Sequence, residues 1–186
     1  RVVIASDIHI PLPWKEQQYR TGREYPWIID TVKAHLAEIL ALDPGCYNEV
    51  VFCGYGEPTE RLDVLLETAA YLRTKEKCPK LRLNTNGLGE LVNGTSGETA
   101  EKLSDALDVI SVSLNAPTEE DYMKVTRPRF ADAFANMQKF TADCVKSGKV
   151  EVMMSVVDVI PEEQINASRE LAEKLGAKLR VRKYDG

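Results

Sequence analysis

Short runs of aliphatic and β-branched residues recur along the chain, separated by longer stretches in which apolar positions return every three or four residues. The runs at residues 2–5, 49–53, 81–85, 109–114, 150–159 and 179–182 read as strands. The fourth, Val-Ile-Ser-Val-Ser-Leu, lacks the strict in-out alternation of a half-exposed strand and suits a parallel strand buried on both faces. Between them, residues 28–42 and 62–73 carry helical stripes, for example Leu62, Leu65, Leu66, Ala69 and Leu72. Residues 118–125 open with Thr-x-x-Asp after Pro117, a capping-box-like start, and residues 130–145 and 162–175 supply two more helices. Gly176 is placed to cap the last. Strand and helix thus alternate, and the fold class is α/β with a parallel sheet. Periodicity alone leaves two architectures open, a (βα)6 partial barrel and a doubly wound sheet, since right-handed crossovers serve both. Residues 11–26 and 87–97 show no clear pattern, and both follow strand ends, where parallel α/β folds place ligands.

Composition narrows the class. With 186 residues, 44% hydrophobic and 28% charged, the chain has the make-up of a single folded domain over residues 1–186 rather than of a disordered segment. Lys and Arg number 24 against 29 Asp and Glu, a net charge of -5 with no long run of either sign, which argues against a general grip on nucleic acid or anionic membrane. No apolar stretch approaches the roughly 20 residues that span a bilayer; the longest candidate, residues 150–160, is interrupted by Glu151 and Asp158. The chain opens Arg-Val-Val-Ile-Ala, with no signal-peptide order and no initiator Met, so truncation or a gap near the start is expected. Cys46, Cys53, Cys78 and Cys144 match neither a CxxC metal site nor a dense disulfide framework. Reduced thiols in a cytoplasm fit that spacing.

Candidate chemistry collects at strand ends. Phe52-Cys53-Gly54-Tyr55-Gly56-Glu57-Pro58-Thr59 directly follows the second strand. Two glycines allow close approach of a ligand to main-chain N–H and C=O groups, while Pro58 sets the exit and removes a donor. No Gly-Lys-Ser/Thr follows, so the loop is not a P-loop, and by spacing alone an ordinary βα turn is an equal reading. The third strand ends in Asn84, Thr85, Asn86 and Gly87, the fourth in Ser111, Ser113 and Asn115. Amides and hydroxyls there suit a neutral polar ligand, and also suit a turn and local backbone bonding. Arg127 and Arg129 flank Pro128 on what reads as a solvated surface; Arg180 and Arg182 share one face of the sixth strand, where a carboxylate or phosphate would meet them. Asp7-Ile8-His9 has the D-x-H pattern of some metallohydrolases, but His35 is the chain's other histidine and lies in a helical stretch, so a multi-His centre lacks ligands. Cys53 reads as structural, and Trp14 and Trp27 as pocket covers or packing under a loop.

Taken together, the Gly54-Tyr55-Gly56-Glu57-Pro58 loop, the Asn84-Thr85-Asn86-Gly87 strand end and the Ser113-Leu114-Asn115-Ala116-Pro117 strand end resemble, in order and spacing, the radical S-adenosylmethionine superfamily. The small radical SAM proteins associated with TatD-type nucleases are the nearest likeness, extending from about Asn48 to Tyr184. The resemblance implies a (βα)6 partial barrel that binds S-adenosylmethionine across the carboxyl ends of its strands, with a [4Fe-4S] cluster on a loop after the first strand. It further implies an electron donor, a small-molecule substrate, and reductive cleavage to a 5′-deoxyadenosyl radical in a full, cluster-bearing chain. By position, residues 54–58 match the Gly-Gly-Glu-Pro-type motif that contacts the methionyl amino group; Ser113 and Asn115 match positions near the ribose and methionyl carboxylate; Asn84 and Asn86 face the same cavity. Ser155 and Val157 stand where relatives contact adenine or ribose, although the Gly-x-Ile-x-Gly pattern of that strand is absent. A second departure weighs more: no Cys-x3-Cys-x2-Cys loop occurs, and Ser6-Asp7-Ile8-His9 stands in its place. That departure keeps a cluster-free cofactor- or nucleotide-binding regulatory or scaffold protein as the alternative.

Overall fold

The structure is a computed structural model that describes residues 2–5, 47–53 and 56–184. Six strands form one parallel sheet: β1 (Val2–Ala5), β2 (Glu49–Cys53), β3 (Lys80–Thr85), β4 (Val109–Ser113), β5 (Glu151–Val157) and β6 (Lys178–Arg182). All six were legible as apolar runs, with ends shifted by two residues at most. The described helices are α1 (Leu62–Arg73), α2 (Gly89–Asn93), α3 (Glu98–Ala106), α4 (Glu119–Thr126), α5 (Ala133–Ser147) and α6 (Glu162–Lys174), and a 3-10 turn, Pro58–Arg61, leads into α1. None of these helices is long and apolar enough to cross a membrane. The expected helix at residues 28–42, with His35, and the loop residues Asp7, His9, Trp14 and Trp27 lie outside the described residues.

Strand order is β1-β2-β3-β4-β5-β6, without the reversal that a doubly wound sheet requires. Right-handed crossovers that all step the same way lay their helices on one face of the sheet. The packing agrees, since α3 lies against both α1 and α5, and α6 runs along β5 and β6. The face under the helices is the core: Val50, Phe52, Leu81, Leu83, Ile110, Val112, Val152, Met154 and Val156 meet Leu72, Leu103, Met137 and Phe140. Alternation turns the remaining strand residues to the opposite face, and most of these are polar: Glu49, Arg82, Asn84, Ser111, Ser113 and Ser155. β4 is buried on both faces, as its apolar run predicts.

Local signals explain most boundaries. Thr118 caps α4, its Oγ1 accepting from Asp121 N at 3.2 Å. Gly176, at φ 78°, ends the turn after α6 with bonds from Gly176 N to Glu173 O and Ala177 N to Ala172 O. Two differences from the sequence reading stand out. Helices α2 and α3 occupy residues 89–106, for which no helix is expected, because their buried positions are filled by Glu90, Thr99, Ala100 and Ser104 as much as by Leu103. Small and polar buried residues leave no apolar stripe. The helix expected from residue 130 begins at Ala133, since Arg127 turns left-handed (φ 45°) and is followed by Pro128.

Candidate functional site

The loop after β2 is tied to the end of β3 by one carboxylate. Glu57 Oε1 accepts from Thr59 N at 3.1 Å, Thr59 Oγ1 at 2.9 Å and Thr85 Oγ1 at 2.7 Å, while Oε2 accepts from Asn86 N at 2.7 Å. All four partners donate to this side chain. Glu57 is therefore a clamp between the loop after β2 and the turn after β3. Pro58 is buried behind it and opens the 3-10 turn, where its missing N–H costs nothing. Gly56 is exposed. Gly54 and Tyr55 lie outside the described residues.

Asn86 turns the chain out of β3. Its Oδ1 accepts from Leu88 N at 2.9 Å, an Asx turn, and Gly87 follows at φ 77°. A side chain at Gly87 would also collide, since a Cβ there would stand 2.9 Å from Met137 Cγ and from Val112 Cγ1. One strand over, Asn115 is held at φ 63°, a left-handed conformation that a non-glycine residue adopts at a cost and that concentrates at binding sites. The carbonyl of Ser155 on β5 fixes it there, accepting from Leu114 N at 2.9 Å and Asn115 N at 3.4 Å.

Asn86 and Asn115 line one cleft of about 310 Å3, with Glu60, Leu88, Tyr122 and Phe130 among its walls. Arg129 completes a side of it: the guanidinium stands 3.5 Å from Glu60 and 4.8 Å above the Phe130 ring. Arg129 is exposed, with its side chain 62% accessible, as the sequence reading expects, and it stands at the rim of the cleft. Burial pushes the Tyr122 hydroxyl pKa up, so that ring presents a neutral phenol.

The other expected residues stand on the polar face of the sheet. Register puts Asn84 beside Ser111, Ser113 beside Ser155, Ser155 beside Arg180, and Val157 beside Arg182. Ser111 and Ser155 are buried, and Asn84, Ser113 and Val157 are half-buried. Lower on the same face, Arg82 Nε lies 2.8 Å from Glu49 Oε1; its N–H is not aimed at that oxygen, so the contact is an ion pair without a hydrogen bond. The expected set thus divides between a rim cleft (Asn86, Asn115) and the adjoining sheet face (Asn84, Ser113, Ser155, Val157), with Glu57 and Pro58 bracing the loop beside them. Thr59 and Thr85, which complete the clamp, were not legible: a Thr at a strand end has many commoner uses.

The described cysteines, Cys53, Cys78 and Cys144, do not come together in one site. Cys53 ends β2 at the carboxyl edge of the sheet, Cys78 precedes the opposite edge of β3 with Sγ 3.9 Å from Arg73 Nη1, and Cys144 is buried in α5. Burial pushes the Cys78 thiol up and the Cys144 thiol to about 12, the reverse of what thiolate ligation needs. Cys46 lies outside the described residues. Among the described residues no group of three or more His, Cys, Asp and Glu side chains could hold a metal ion. No known family model matches the chain, and no curated protein sequence matches it.

Proposed function

We propose that this chain is a radical SAM-type core, a (βα)6 partial barrel that binds S-adenosylmethionine across the carboxyl ends of β2 to β5. The observation that carries the reading is the arrangement of adjacent strand ends: a braced glycine loop after β2, Asn86 after β3, Ser113 and a left-handed Asn115 after β4, and Ser155 on β5. In this reading the main chain of residues 54–57 receives the methionyl amino group. Ser113 and Asn115 take the ribose and carboxylate, Ser155 and Val157 flank the adenosyl part, and Asn84 and Asn86 close the cavity. The asparagine and serine side chains among these can donate and accept, as ribose and purine edges require, while Val157 supplies an apolar wall.

Where a four-iron cluster is present, S-adenosylmethionine is a source of the 5′-deoxyadenosyl radical. The described cysteines, Cys53, Cys78 and Cys144, do not fit that cluster, and no radical step is assigned to this chain's residues. Their dispersal favours a second reading, a cluster-free cofactor- or nucleotide-binding module with a regulatory or scaffold role. Two measurements on the complete natural chain, purified without oxygen, separate the outcomes. Calorimetry with S-adenosylmethionine is expected to show binding that Asn115→Ala and Asn115→Gly each weaken about tenfold, the worth of one or two polar contacts; unchanged affinity in both variants overturns the site. Iron and acid-labile sulfide at about four per chain would mark the enzyme, and binding without iron the module.

A further inference from the structure

Arg180 and Arg182 are two cations at the carboxyl half of the sheet without an acid partner among the described residues. Alternation along β6 and its register with β5 turn both toward the polar face, beside Ser155 and Val157, and away from the helices. Of the other cations of that face, Arg82 stands 2.8 Å from Glu49 and Lys178 3.5 Å from Glu151, while Lys80 lies exposed at the amino end of β3, away from the strand ends. Neither Arg180 nor Arg182 makes an ion pair or a side-chain hydrogen bond with a described residue, and both are exposed. Asp158, the acid next to them in the fold, is engaged elsewhere, its Oδ1 accepting from Tyr184 N at 2.8 Å. Its main-chain N donates to Arg182 O at 2.9 Å, which pins the carboxyl end of β6 to the end of β5. Two unneutralised guanidiniums thus stand side by side on a held strand, at the carboxyl half of the sheet, in a chain whose net charge is -5.

We infer that Arg180 and Arg182 bind the anionic part of the substrate, a molecule carrying two phosphoryl or two carboxylate groups that lies over β6, beside the cofactor. This rests on the proposed function, which places the cofactor over β2 to β5. Residues i and i+2 of a strand are about 7 Å apart, so the two forks hold two acidic groups of one molecule better than a single ion. A guanidinium fork binds such groups through paired N–H donors, and Ser155, one strand or roughly 5 Å away, brings the rest of the molecule against the adenosyl part of the proposed cofactor site.

The test titrates the full chain at low salt with pyrophosphate and, separately, with glutarate, in the natural protein and in Arg180→Gln, Arg182→Gln and Arg61→Gln. The last removes an exposed arginine that faces Asp63 at 3.4 Å and serves as a charge control. At least one probe is expected to bind, the probe that binds naming the acid class, with affinity falling tenfold or more in each β6 variant and less than twofold in Arg61→Gln. Absence of binding by both probes, or equal losses in all three variants, overturns the inference. S-adenosylmethionine is titrated into the same proteins and is expected to bind all of them within twofold. A tenfold loss in the β6 variants would assign the arginines to the cofactor's own carboxylate and overturn the substrate role. Failure of the natural protein to bind S-adenosylmethionine while the arginine-dependent anion site persists would overturn the proposed function and leave the anion site standing.

Discussion

Asn115 combines a backbone position that favours glycine with a side chain facing a cleft, and the two roles separate by substitution. Asn115→Ala is expected to cost about 1–2 kcal/mol of stability, the penalty of a left-handed residue with a Cβ and no local amide, whereas Asn115→Gly should be nearly neutral in chemical denaturation. Equal stabilities would show that the φ of 63° carries no strain. Cys144 makes a second case, one of linkage. Burial holds its pKa near 12 against an ordinary 9.0, so the folded chain keeps the thiol proton more tightly than the unfolded one. Stability from this group is complete below pH 9 and is lost as pH rises toward 12, reaching roughly 4 kcal/mol at the upper end. Tyr122, raised by burial from 10.0, adds a loss of the same sign. Denaturation midpoints between pH 9 and 11 should therefore fall less steeply for Cys144→Ala than for the natural protein, and equal slopes would remove Cys144 as the cause. Asn115 and Glu57 could be singled out from the sequence because unusual residue types sit at strand ends. That Glu57 binds Thr59, Thr85 and Asn86 could not, because two of those partners lie 28 and 29 residues away at the end of β3.

At the scale of elements, two acids act as staples between segments. Replacing Glu57 by Gln turns one acceptor into an NH2 group facing donors only, and should cost about 1–3 kcal/mol while loosening the turn after β3. Glu90 does the same for the α2–α3 corner: it is buried, its Oε1 accepts from Ala100 N at 2.8 Å, and Oε2 accepts from Thr95 Oγ1. Glu90→Ala leaves those donors buried without a partner. We expect a similar loss and faster amide exchange across residues 94–104, and unchanged exchange there would show that the corner holds by packing alone. Strands β2 to β5 and the helix at residues 62–73 were legible because each buries an apolar run or stripe. The α2–α3 pair was not, because its order comes from these long-range bonds and from Thr99 and Ser104 buried among neighbours.

Across the whole molecule, stability is expected to grade along the sheet. β4 is buried on both faces and flanked by β3 and β5, while β6 has a neighbour only in β5 among the described strands and exposes Arg180, Val181 and Arg182. Native-state exchange should protect β4 to the global unfolding limit and release β6 at lower free energy, and equal protection would make the sheet one cooperative unit. The hydrophobic pattern by itself determined the α/β class, the six strands and the parallel pairing, because burial on one or two faces imposes a period that survives in one dimension. Strand order and the face each residue serves were decided only by the tertiary structure. A crossover can step to either side of a strand at nearly the same local cost, and only packing the helices together on one face makes the choice. That choice carries Asn84, Ser113, Ser155, Arg180 and Arg182 together onto the opposite face, although they span almost a hundred residues of chain.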